Sequence, residues 1–261
     1  MRRLAASILA GAAVLGAVPA VSMGAVVQFH YGGATANTPI TGSNQHLPPL
    51  AAPALYQVGP DLGPSVAAYR QSGGYTADIA DTVSRANTYL NHWLDTTCGR
   101  KASPAKVRRC RAAVVSDIDD TVLSWYDLFA SPEGNWGPSD AQGAAFIQNC
   151  EGPAIAPTVA FLNQARRRGV AVILITGRSE ADRAATTSCM TTIGLTGYRQ
   201  LIVRQPSQMT QTAAAFKAAD RRALVRKGWR IALSIGDQVS DMSGGAADAG
   251  FLLPNPIYFI P

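Results

Sequence analysis

Acidic residues are grouped at two points of the chain where apolar runs end. Asp117 and Asp119 follow one such run, and Asp237 and Asp241 follow another. Carboxylates that lie close together repel each other unless a cation neutralises them, and oxygen ligands without nearby His or Cys favour Mg²⁺ over zinc. One carboxylate of an Asp-x-Asp pair can attack phosphorus while the other passes a proton to the leaving oxygen. The four residues therefore indicate metal-assisted chemistry on a phosphate group.

A phosphate group also needs hydrogen-bond donors and positive charge. Thr176 and Gly177 follow the apolar run 170–175, and a hydroxyl with a closely approached glycine amide can hold a phosphate oxygen. Lys217 lies on a predicted helix and is the best candidate for a further cation. The predicted site thus comprises the catalytic residues Asp117 and Asp119, the phosphate-binding residues Thr176, Gly177 and Lys217, and the Mg²⁺ ligands Asp117, Asp119, Asp237 and Asp241.

Hydrophobic periodicity predicts the elements that carry these residues. An amphipathic helical pattern runs from residue 76 to 95, and short apolar runs then alternate with helical patterns. This alternation is typical of an α/β fold with a doubly wound, mainly parallel sheet, in which function collects beyond the carboxyl ends of the strands. Strands are predicted at 112–116, 170–175, 201–203 and 231–235, and helices at 157–168, 179–193 and 213–227.

The composition excludes several classes of protein. The 261 residues are 47% hydrophobic and 15% charged, which excludes a disordered chain. The net charge is +6, but no long basic run is interleaved with aromatic residues, so no nucleic-acid partner is predicted. Arg166, Arg167 and Arg168 end a predicted helix, where cations complement the helix dipole. No histidine follows His92, which excludes a phosphohistidine nucleophile or His-rich metal ligation at the predicted site.

The N-terminus has the pattern of a secretory signal peptide over residues 1–20. Arg2 and Arg3 precede an uncharged apolar run, and small residues favour cleavage after Ala20. An uncleaved N-terminal anchor is the alternative, and after cleavage we expect no stable membrane insertion. Residues 21–75 are poor in charge and rich in Pro and Gly, which predicts an arm or linker. We therefore expect a secreted protein with its functional domain at 76–261.

An exported chain with four cysteines is expected to form two disulfides. Three pairings are open, and free thiols are a further alternative. We favour Cys98–Cys110, which closes a short basic loop, and Cys150–Cys189, which ties two distant segments together.

The ordered motifs resemble those of the haloacid dehalogenase (HAD) superfamily. Several shorter strings are similar to its subfamily IIIB, the plant vegetative-storage-type and bacterial class C acid phosphatases, and the resemblance covers roughly residues 76–261. The four motifs are matched by Asp117-Ile118-Asp119-Asp120-Thr121, Thr176, Lys217, and Asp237 with Asp241; the subfamily strings include Ile175-Thr176-Gly177-Arg178, Phe216-Lys217 and Leu253-Pro254-Asn255-Pro256-Ile257-Tyr258.

The resemblance implies a role for each matching residue. Asp117 would form an aspartyl-phosphate, and Asp119 would act first as general acid and then as base, giving its backbone carbonyl to Mg²⁺. Asp117 and Asp237 would be side-chain ligands of Mg²⁺, and Asp241 would orient the site or bind through water. Thr176 and Gly177 would bind the phosphoryl group, with Lys217 neutralising it.

The resemblance also implies a HAD-like Rossmannoid sheet with an N-terminal helical extension and a small cap inserted at about 122–155. After Thr121 the chain reads Val-Leu-Ser-Trp-Tyr-Asp, where relatives usually continue towards an Asn and a Pro-Tyr pair. Trp125, Tyr126 and Trp136 in this insertion either stack on a nucleobase or pack in the core of the cap.

The implied activity is that of a secreted, Mg²⁺-dependent acid phosphatase acting on small phosphate monoesters, with nucleotides as one candidate class. A phosphotransferase of the same fold and a non-enzymatic storage or binding protein are the alternatives. The sequence leaves the natural substrate, the pH optimum and the oligomeric state open.

Overall fold

The computed structural model describes residues 40–42 and 56–260, so the predicted signal peptide lies outside the described residues. The strands are β1 (Ile40–Gly42), β2 (Tyr56–Gln57), β3 (Ala112–Ser116), β4 (Ala171–Ser179), β5 (Gln200–Arg204), β6 (Arg230–Gly236), β7 (Gly250–Leu252) and β8 (Tyr258–Phe259). Six of them form a parallel sheet in the order β1-β7-β6-β3-β4-β5, and β2 pairs antiparallel with β8. The predicted α/β fold with a parallel sheet is confirmed.

The described helices are α1 (Gly59–Gln71), α2 (Gly74–Thr97), α3 (Pro104–Cys110), α4 (Tyr126–Ala130), α5 (Asp140–Asn149), α6 (Ala156–Arg167), α7 (Arg183–Thr192) and α8 (Ala213–Arg226). Short 3₁₀ helices occur at Glu180–Asp182, Pro206–Gln208 and Val239–Asp241. Within the described ranges, no helix has both the length and the apolar character needed to cross a membrane.

Helices cover both faces of the sheet. On one face, Leu90 of α2 and Leu162 of α6 belong to the same buried cluster as Val114 of β3. On the other face, Phe216 of α8 packs in a cluster with Val115, the next residue of β3. Successive residues of a strand point to opposite faces, so β3 is buried throughout and apolar from Ala112 to Val115. Each buried Leu or Phe contributes about 1.5–3 kcal/mol of stability.

Helix α1 lies in the segment 21–75 that the sequence predicts as an arm or linker. Because it contains prolines and few charged residues, hydrophobic periodicity does not predict it as a helix. It nevertheless packs closely against the rest of the chain. A Cβ at Gly63 would lie 2.3 Å from ring atoms of Trp136. The expectation of an arm is therefore wrong for residues 59–71, whereas 21–39 and 43–55 lie outside the described residues.

Both expected disulfides are present. Cys98–Cys110 closes the connection between α2 and α3, with Cα atoms 5.7 Å apart. Cys150–Cys189 joins the end of α5 to α7, with Cα atoms 5.3 Å apart. Residues 122–155, called the insertion below, lie between β3 and α6 and contain α4 and α5. The second disulfide therefore ties the insertion to the helix layer of the sheet.

The carboxyl ends of β3, β4 and β6 lie at one edge of the sheet because the strands are parallel. β3 ends directly before Asp117, and β6 ends directly before Asp237. β4 continues beyond the predicted end at residue 175, and its pairing with β5 becomes irregular between Thr176 and Ser179. Thr176 and Gly177 therefore lie in the last, distorted part of a strand rather than after it.

Candidate active site

A buried lysine joins two of the predicted site carboxylates. Lys217, in the second turn of α8, donates from Nζ to Oδ1 of Asp117 at 2.9 Å and also to Oδ1 of Asp241. The hydroxyl of Thr212 accepts from the Ala215 N–H and caps the start of α8, which fixes the end of the helix that carries the lysine. Helix α8 thus brings the predicted cation directly to the predicted nucleophile.

Burial and the neighbouring opposite charge have opposing effects on the pKa values of Asp117 and Lys217. Burial raises the pKa of Asp117 well above its usual range; the Lys217 ammonium opposes this shift, and the carboxylates of Asp241 and Asp237 add to it. Burial alone would lower the pKa of Lys217, but Asp117 and Asp241 outweigh it and raise that pKa. The lysine therefore stays protonated, and one cation does not neutralise the surrounding carboxylates.

Asp237 is held by three hydrogen-bond donors. Thr121 donates from Oγ1 to Oδ1 at 3.1 Å, while Asn255 Nδ2 and Gln238 Nε2 donate to Oδ2 at 2.6 and 2.7 Å. Burial and two neighbouring aspartates nevertheless raise the pKa of Asp237 to about 7. The carboxyl group is thus fixed in place, and its ionised form is destabilised by the surrounding negative charge.

Asp241 is folded back onto the end of β6. Its Oδ2 accepts from the backbone N–H of Gln238 at 2.9 Å, and its Oδ1 accepts from Lys217. A Cβ on Gly236 would lie 2.0 Å from Oδ2 of Asp241, so only glycine leaves room for this conformation. The carboxylate of Asp241 thus links Lys217 to the backbone at the end of β6.

The carboxylates fit a divalent cation. Asp117, Asp237 and Asp241 are buried, and each offers an oxygen within 4.8 Å of the others. A buried set of anionic oxygen ligands matches the preference of Mg²⁺, and a cation would relieve the repulsion that raises the pKa values of Asp117 and Asp237. The side chain of Asp119 is not part of this set, and its predicted contribution is a backbone carbonyl.

Asp119 is held by donors from two other elements. Trp125 of the insertion donates from Nε1 to Oδ1 at 2.6 Å, and Arg178 of β4 donates to the same oxygen from Nη2 at 2.7 Å and from Nε at 3.1 Å. Oδ2 has the longer contacts, with Arg178 Nε at 3.2 Å and Thr176 Oγ1 at 3.4 Å. Oδ1 is thus saturated with donors, and Oδ2 is the oxygen with room for a proton.

The two aspartates of the Asp-x-Asp pair have opposite pKa shifts. Burial opposes the ionisation of Asp119, but the charge of Arg178 and the hydrogen bonds from Arg178 and Trp125 outweigh it, so the pKa of Asp119 lies below its usual range. The same ion pair raises the pKa of Arg178 although burial opposes this. In the ligand-free protein Asp119 is therefore ionised and paired, while the pKa of Asp117 is raised.

The two predicted phosphate-binding residues of β4 occupy different positions. Thr176 is fully buried, and its Oγ1 accepts from the Arg178 N–H at 3.2 Å. Gly177 is exposed, and a Cβ at this position would meet no protein atom within 4 Å. Gly177 therefore borders space that a ligand can enter, whereas the Thr176 hydroxyl already serves hydrogen bonds within the protein.

The site side chains face a cavity of about 910 Å³. Its floor carries the charged groups, and the insertion forms one of its walls. The residues that line it include Asp117, Asp119, Gly177, Arg178, Lys217 and Asp237 from the sheet edge and α8, and Trp125, Phe129, Gly143 and Ile147 from the insertion. A charged floor under a partly apolar wall suits a phosphate ester with an organic leaving group.

The three aromatic residues that are candidates for base stacking all pack against one apolar cluster, and one of them also borders the cavity. Trp125 lines the cavity, and its ring packs on Phe146 of α5 with the ring centroids 5.0 Å apart. Tyr126 and Trp136 pack edge to face, 5.8 Å apart, in an apolar cluster with Phe129. Tyr126 and Trp136 are thus part of a core, and Trp125 is the aromatic residue of the three that borders the cavity.

A protein family matches most of the chain. The family described as the HAD superfamily, subfamily IIIB (acid phosphatase), matches residues 54–261, which include all the site side chains described above. The chain belongs to this family. The resemblance inferred from the motifs is confirmed, and the match to subfamily IIIB begins earlier than residue 76, so that it includes β2 and α1.

Two plant proteins are similar to this chain over part of their length. Acid phosphatase 1 of Solanum lycopersicum is 31% identical over 148 residues, which are 56% of this chain and 58% of that protein. Vegetative storage protein 1 of Arabidopsis thaliana is 29% identical over 150 residues, which are 56% of this chain and 55% of that protein. The chain thus spans little more than half the length of these relatives.

A solved structure shares the fold. The class C acid phosphatase from Bacillus anthracis superposes with a TM-score of 0.61 at 19% identity, over 77% of this chain and 86% of that protein. At this level of identity the likeness concerns the fold alone, and it agrees with the HAD-type sheet of this chain.

The sequence predicts no site contact for several residues that hold the predicted site carboxylates. Arg178 and Asn255 belong to the sequence strings that carry the family resemblance, and this is the signal by which they could have been found. Trp125 was considered for stacking on a base. Its hydrogen bond to Asp119 depends on how the insertion folds back over the sheet edge, and the local sequence contains no sign of that contact.

Proposed function

We propose that the chain is an exported, Mg²⁺-dependent acid phosphatase that hydrolyses small phosphate monoesters through an aspartyl-phosphate. The observation that carries the proposal is Lys217, held between Asp117 and Asp241 at the floor of a cavity that Asp119 also lines. A fixed cation beside a carboxylate nucleophile stabilises the charge that develops on phosphoryl oxygens. Membership in subfamily IIIB supports the reaction, and the two disulfides support an oxidising compartment.

In the first proposed step, an oxygen of Asp117 attacks phosphorus, and the bond between phosphorus and the leaving oxygen breaks. Asp119 gives its proton to the leaving oxygen, which departs as an alcohol. Lys217 and the Gly177 amide hold the phosphoryl oxygens. When bound by Asp117, Asp237 and Asp241, Mg²⁺ would supply further positive charge to these oxygens.

In the second proposed step, a water molecule attacks the phosphorus of the aspartyl-phosphate. Asp119, now ionised, takes a proton from this water, and the bond to Asp117 breaks. Inorganic phosphate is released, and both aspartates return to their starting states. Because Oδ1 of Asp119 already accepts from Trp125 and Arg178, Oδ2 carries the proton in both steps.

Ligands must reverse the pKa shifts of the free protein for this chemistry to begin. The pKa of Asp117 is raised, although a nucleophile must be ionised, and the pKa of Asp119 is lowered, although a general acid must be protonated. A divalent cation beside Asp117 favours its ionised form, and a phosphate dianion that draws Arg178 away from Asp119 favours the protonated acid. The pKa of Asp119 is lowered in the free enzyme, so Asp119 is protonated there only at acidic pH. Activity at acidic pH is therefore expected.

A hydrolysis panel of aryl phosphates, sugar phosphates and nucleotides tests the proposal. We expect Mg²⁺-dependent phosphate release below neutral pH that EDTA abolishes. A failure to release phosphate from the whole panel would refute the proposal and would favour the storage or binding alternative, which the similarity to a vegetative storage protein suggests. Adding alcohols as acceptors separates hydrolysis from phosphotransfer, because a transferase makes a new phosphate ester.

A further inference from the structure

Positive charge is concentrated at the end of the sheet opposite the cavity. Helices α3, α6 and α8 end there, and strands β3, β5 and β6 begin there, which brings together basic residues that are distant in the chain. We call the Lys and Arg residues of segments 100–111, 166–168, 199 and 226–230 the basic end. Most of these side chains are exposed, and the four segments contain no Asp or Glu. Two aspartates of other segments lie next to them: Asp95 accepts from the Lys101 N–H, and Asp248 accepts from Trp93, whose ring lies under Arg230.

Side-chain contacts show that these segments form one continuous surface. The guanidinium of Arg111 lies 4.5 Å from the ring centroid of Trp229, and that of Arg199 lies 6.0 Å from the same centroid. Arg230 lies 5.6 Å from the ring centroid of Trp93 in α2. A Cβ on Gly197 would lie 3.3 Å from Arg166. The starts of three strands and the end of α6 are therefore joined at this surface.

The opposite end of the molecule has the opposite charge. The insertion carries Asp127, Glu133, Asp140 and Glu151 and contains no Lys or Arg. It borders the cavity, whose floor holds further carboxylates. The lining of the cavity holds five aspartates against three cations, whereas the segments of the basic end hold Lys and Arg without Asp or Glu. The charge of the protein is thus uneven along the strand direction, with cations in excess at the strand starts and carboxylates in excess around the cavity.

We propose that the basic end binds an anionic phospholipid bilayer and holds the cavity away from that surface. The proposal does not depend on the phosphatase activity. A broad array of exposed cations drawn from several elements matches a plane of anionic headgroups, and each Lys or Arg near such a surface strengthens binding. The acidic insertion is repelled by the same surface, so the uneven charge fixes one orientation with the cavity open to solvent.

Vesicle binding of the full chain tests this inference. We compare vesicles of equal parts phosphatidylglycerol and phosphatidylcholine with vesicles of phosphatidylcholine alone, by sedimentation at low and high salt. We expect affinity for the anionic vesicles to be about tenfold higher or more, and this preference to disappear at high salt. Equal affinity for both kinds of vesicle overturns the proposal.

Charge-neutralised variants locate the binding surface. Arg108 and Arg109 lie on the disulfide-closed segment and are exposed, so the double variant Arg108→Gln/Arg109→Gln leaves the core unchanged. We expect it to lose about tenfold in affinity for anionic vesicles. The matched control Arg85→Gln/Arg183→Gln also removes two positive charges, but both lie outside the basic end. We expect this control to bind anionic vesicles like the parent.

Two further results would overturn the proposal. One is an equal loss of vesicle affinity in both double variants, which would mean that net charge rather than this surface is responsible. The other is the absence of any preference for anionic vesicles in a protein that binds a DNA duplex through Arg108 and Arg109. That result would assign the basic end to nucleic acid.

Discussion

Trp125 donates its indole N–H to Oδ1 of Asp119 at 2.6 Å, so a side chain of the insertion orients the proposed general acid. The ring is itself held between Phe146, with ring centroids 5.0 Å apart, and Gly143, where a Cβ would lie 3.4 Å from the ring. The position of the acid therefore depends on α5, the helix that also forms a wall of the cavity. The proposed general acid at the sheet edge and the cavity wall formed by the insertion are thus linked by this hydrogen bond.

Replacing Trp125 by Phe keeps an aromatic ring and removes the N–H. Without this bond Asp119 is oriented by Arg178 and by the longer contact from Thr176, and proton transfer to the leaving oxygen becomes less efficient. We expect kcat for an alkyl phosphate, whose leaving group needs a proton, to fall about tenfold or more, and kcat for p-nitrophenyl phosphate to change little. The ratio of the two kcat values measures the effect.

Gly143→Ala is the matched control for Trp125→Phe, because its added methyl group would contact the same ring at an ordinary van der Waals distance and leaves the N–H in place. We expect it to affect both substrates alike. If Trp125→Phe also slows the alkyl and aryl phosphates by the same factor, Trp125 serves packing and does not orient the acid.

Replacing Arg178 by Gln removes the positive charge that lowers the pKa of Asp119. Burial then dominates, and the pKa of Asp119 rises. Since the acid must be protonated in the free enzyme, the descending limb of the kcat/KM profile should move to higher pH. Arg178→Lys keeps the charge and should move the limb less. An unchanged limb in Arg178→Gln, or a shift to lower pH, would contradict the role given to Asp119.

Stability without metal should fall as pH rises towards neutrality. The pKa of Asp237 is raised to about 7 in the folded protein, against about 3.9 for an unperturbed Asp. Between these values the folded chain binds more protons than the unfolded chain, so the free energy of unfolding decreases as pH increases. We expect EDTA-treated protein to have a higher Tm at mildly acidic than at mildly alkaline pH.

Mg²⁺ should restore the stability lost at higher pH, because it requires ionised carboxylates. Asp237→Asn should reduce both the pH dependence of Tm and the response to Mg²⁺, whereas Asp61→Asn, at an exposed position, should leave both unchanged. A Tm of the Asp237→Asn protein that responds to Mg²⁺ like the parent would place the cation elsewhere.

The two disulfides should have different effects on function. Loop-closure entropy predicts a loss of about 4 kcal/mol for Cys150–Cys189, separated by 39 residues, and about 3 kcal/mol for Cys98–Cys110, separated by 12. Only Cys150–Cys189 ties the insertion to α7. We expect the Cys150→Ser/Cys189→Ser protein to have a raised KM, and the Cys98→Ser/Cys110→Ser protein to lose stability with KM unchanged. Equal KM values below both melting temperatures would contradict this.

The sequence predicts the residues at the sheet edge well because each of them lies next to its own strand in the sequence. Asp117 and Asp237 each follow a buried strand of apolar residues directly, and the parallel direction of the strands brings their ends together. Lys217 was predicted from its helix and its place in the motif order. The fold and family are confirmed, and the roles of these residues remain predictions until they are tested.

The remaining features depend on contacts between distant segments. Helix α1 has no clear amphipathic pattern in the sequence. The structure shows that it packs against Trp136 of the insertion, which lies far from it along the chain. Thr176 was predicted beyond the end of a strand, but irregular pairing with β5 extends β4 and buries its hydroxyl. The contact between Trp125 and Asp119 requires the insertion to fold back over the strand ends. Local propensity carries no information about such contacts.

Capture of the phosphorylated enzyme tests the central claim most directly. The Asp119→Asn protein retains the nucleophile but lacks the base for the second step, so mixing it with an aryl phosphate and quenching in acid should trap the intermediate. Peptide mass spectrometry should then find one phosphoryl group on Asp117, formed together with a burst of the aryl alcohol. Phosphate on another residue, or turnover by Asp117→Asn at the parental rate, would contradict the account.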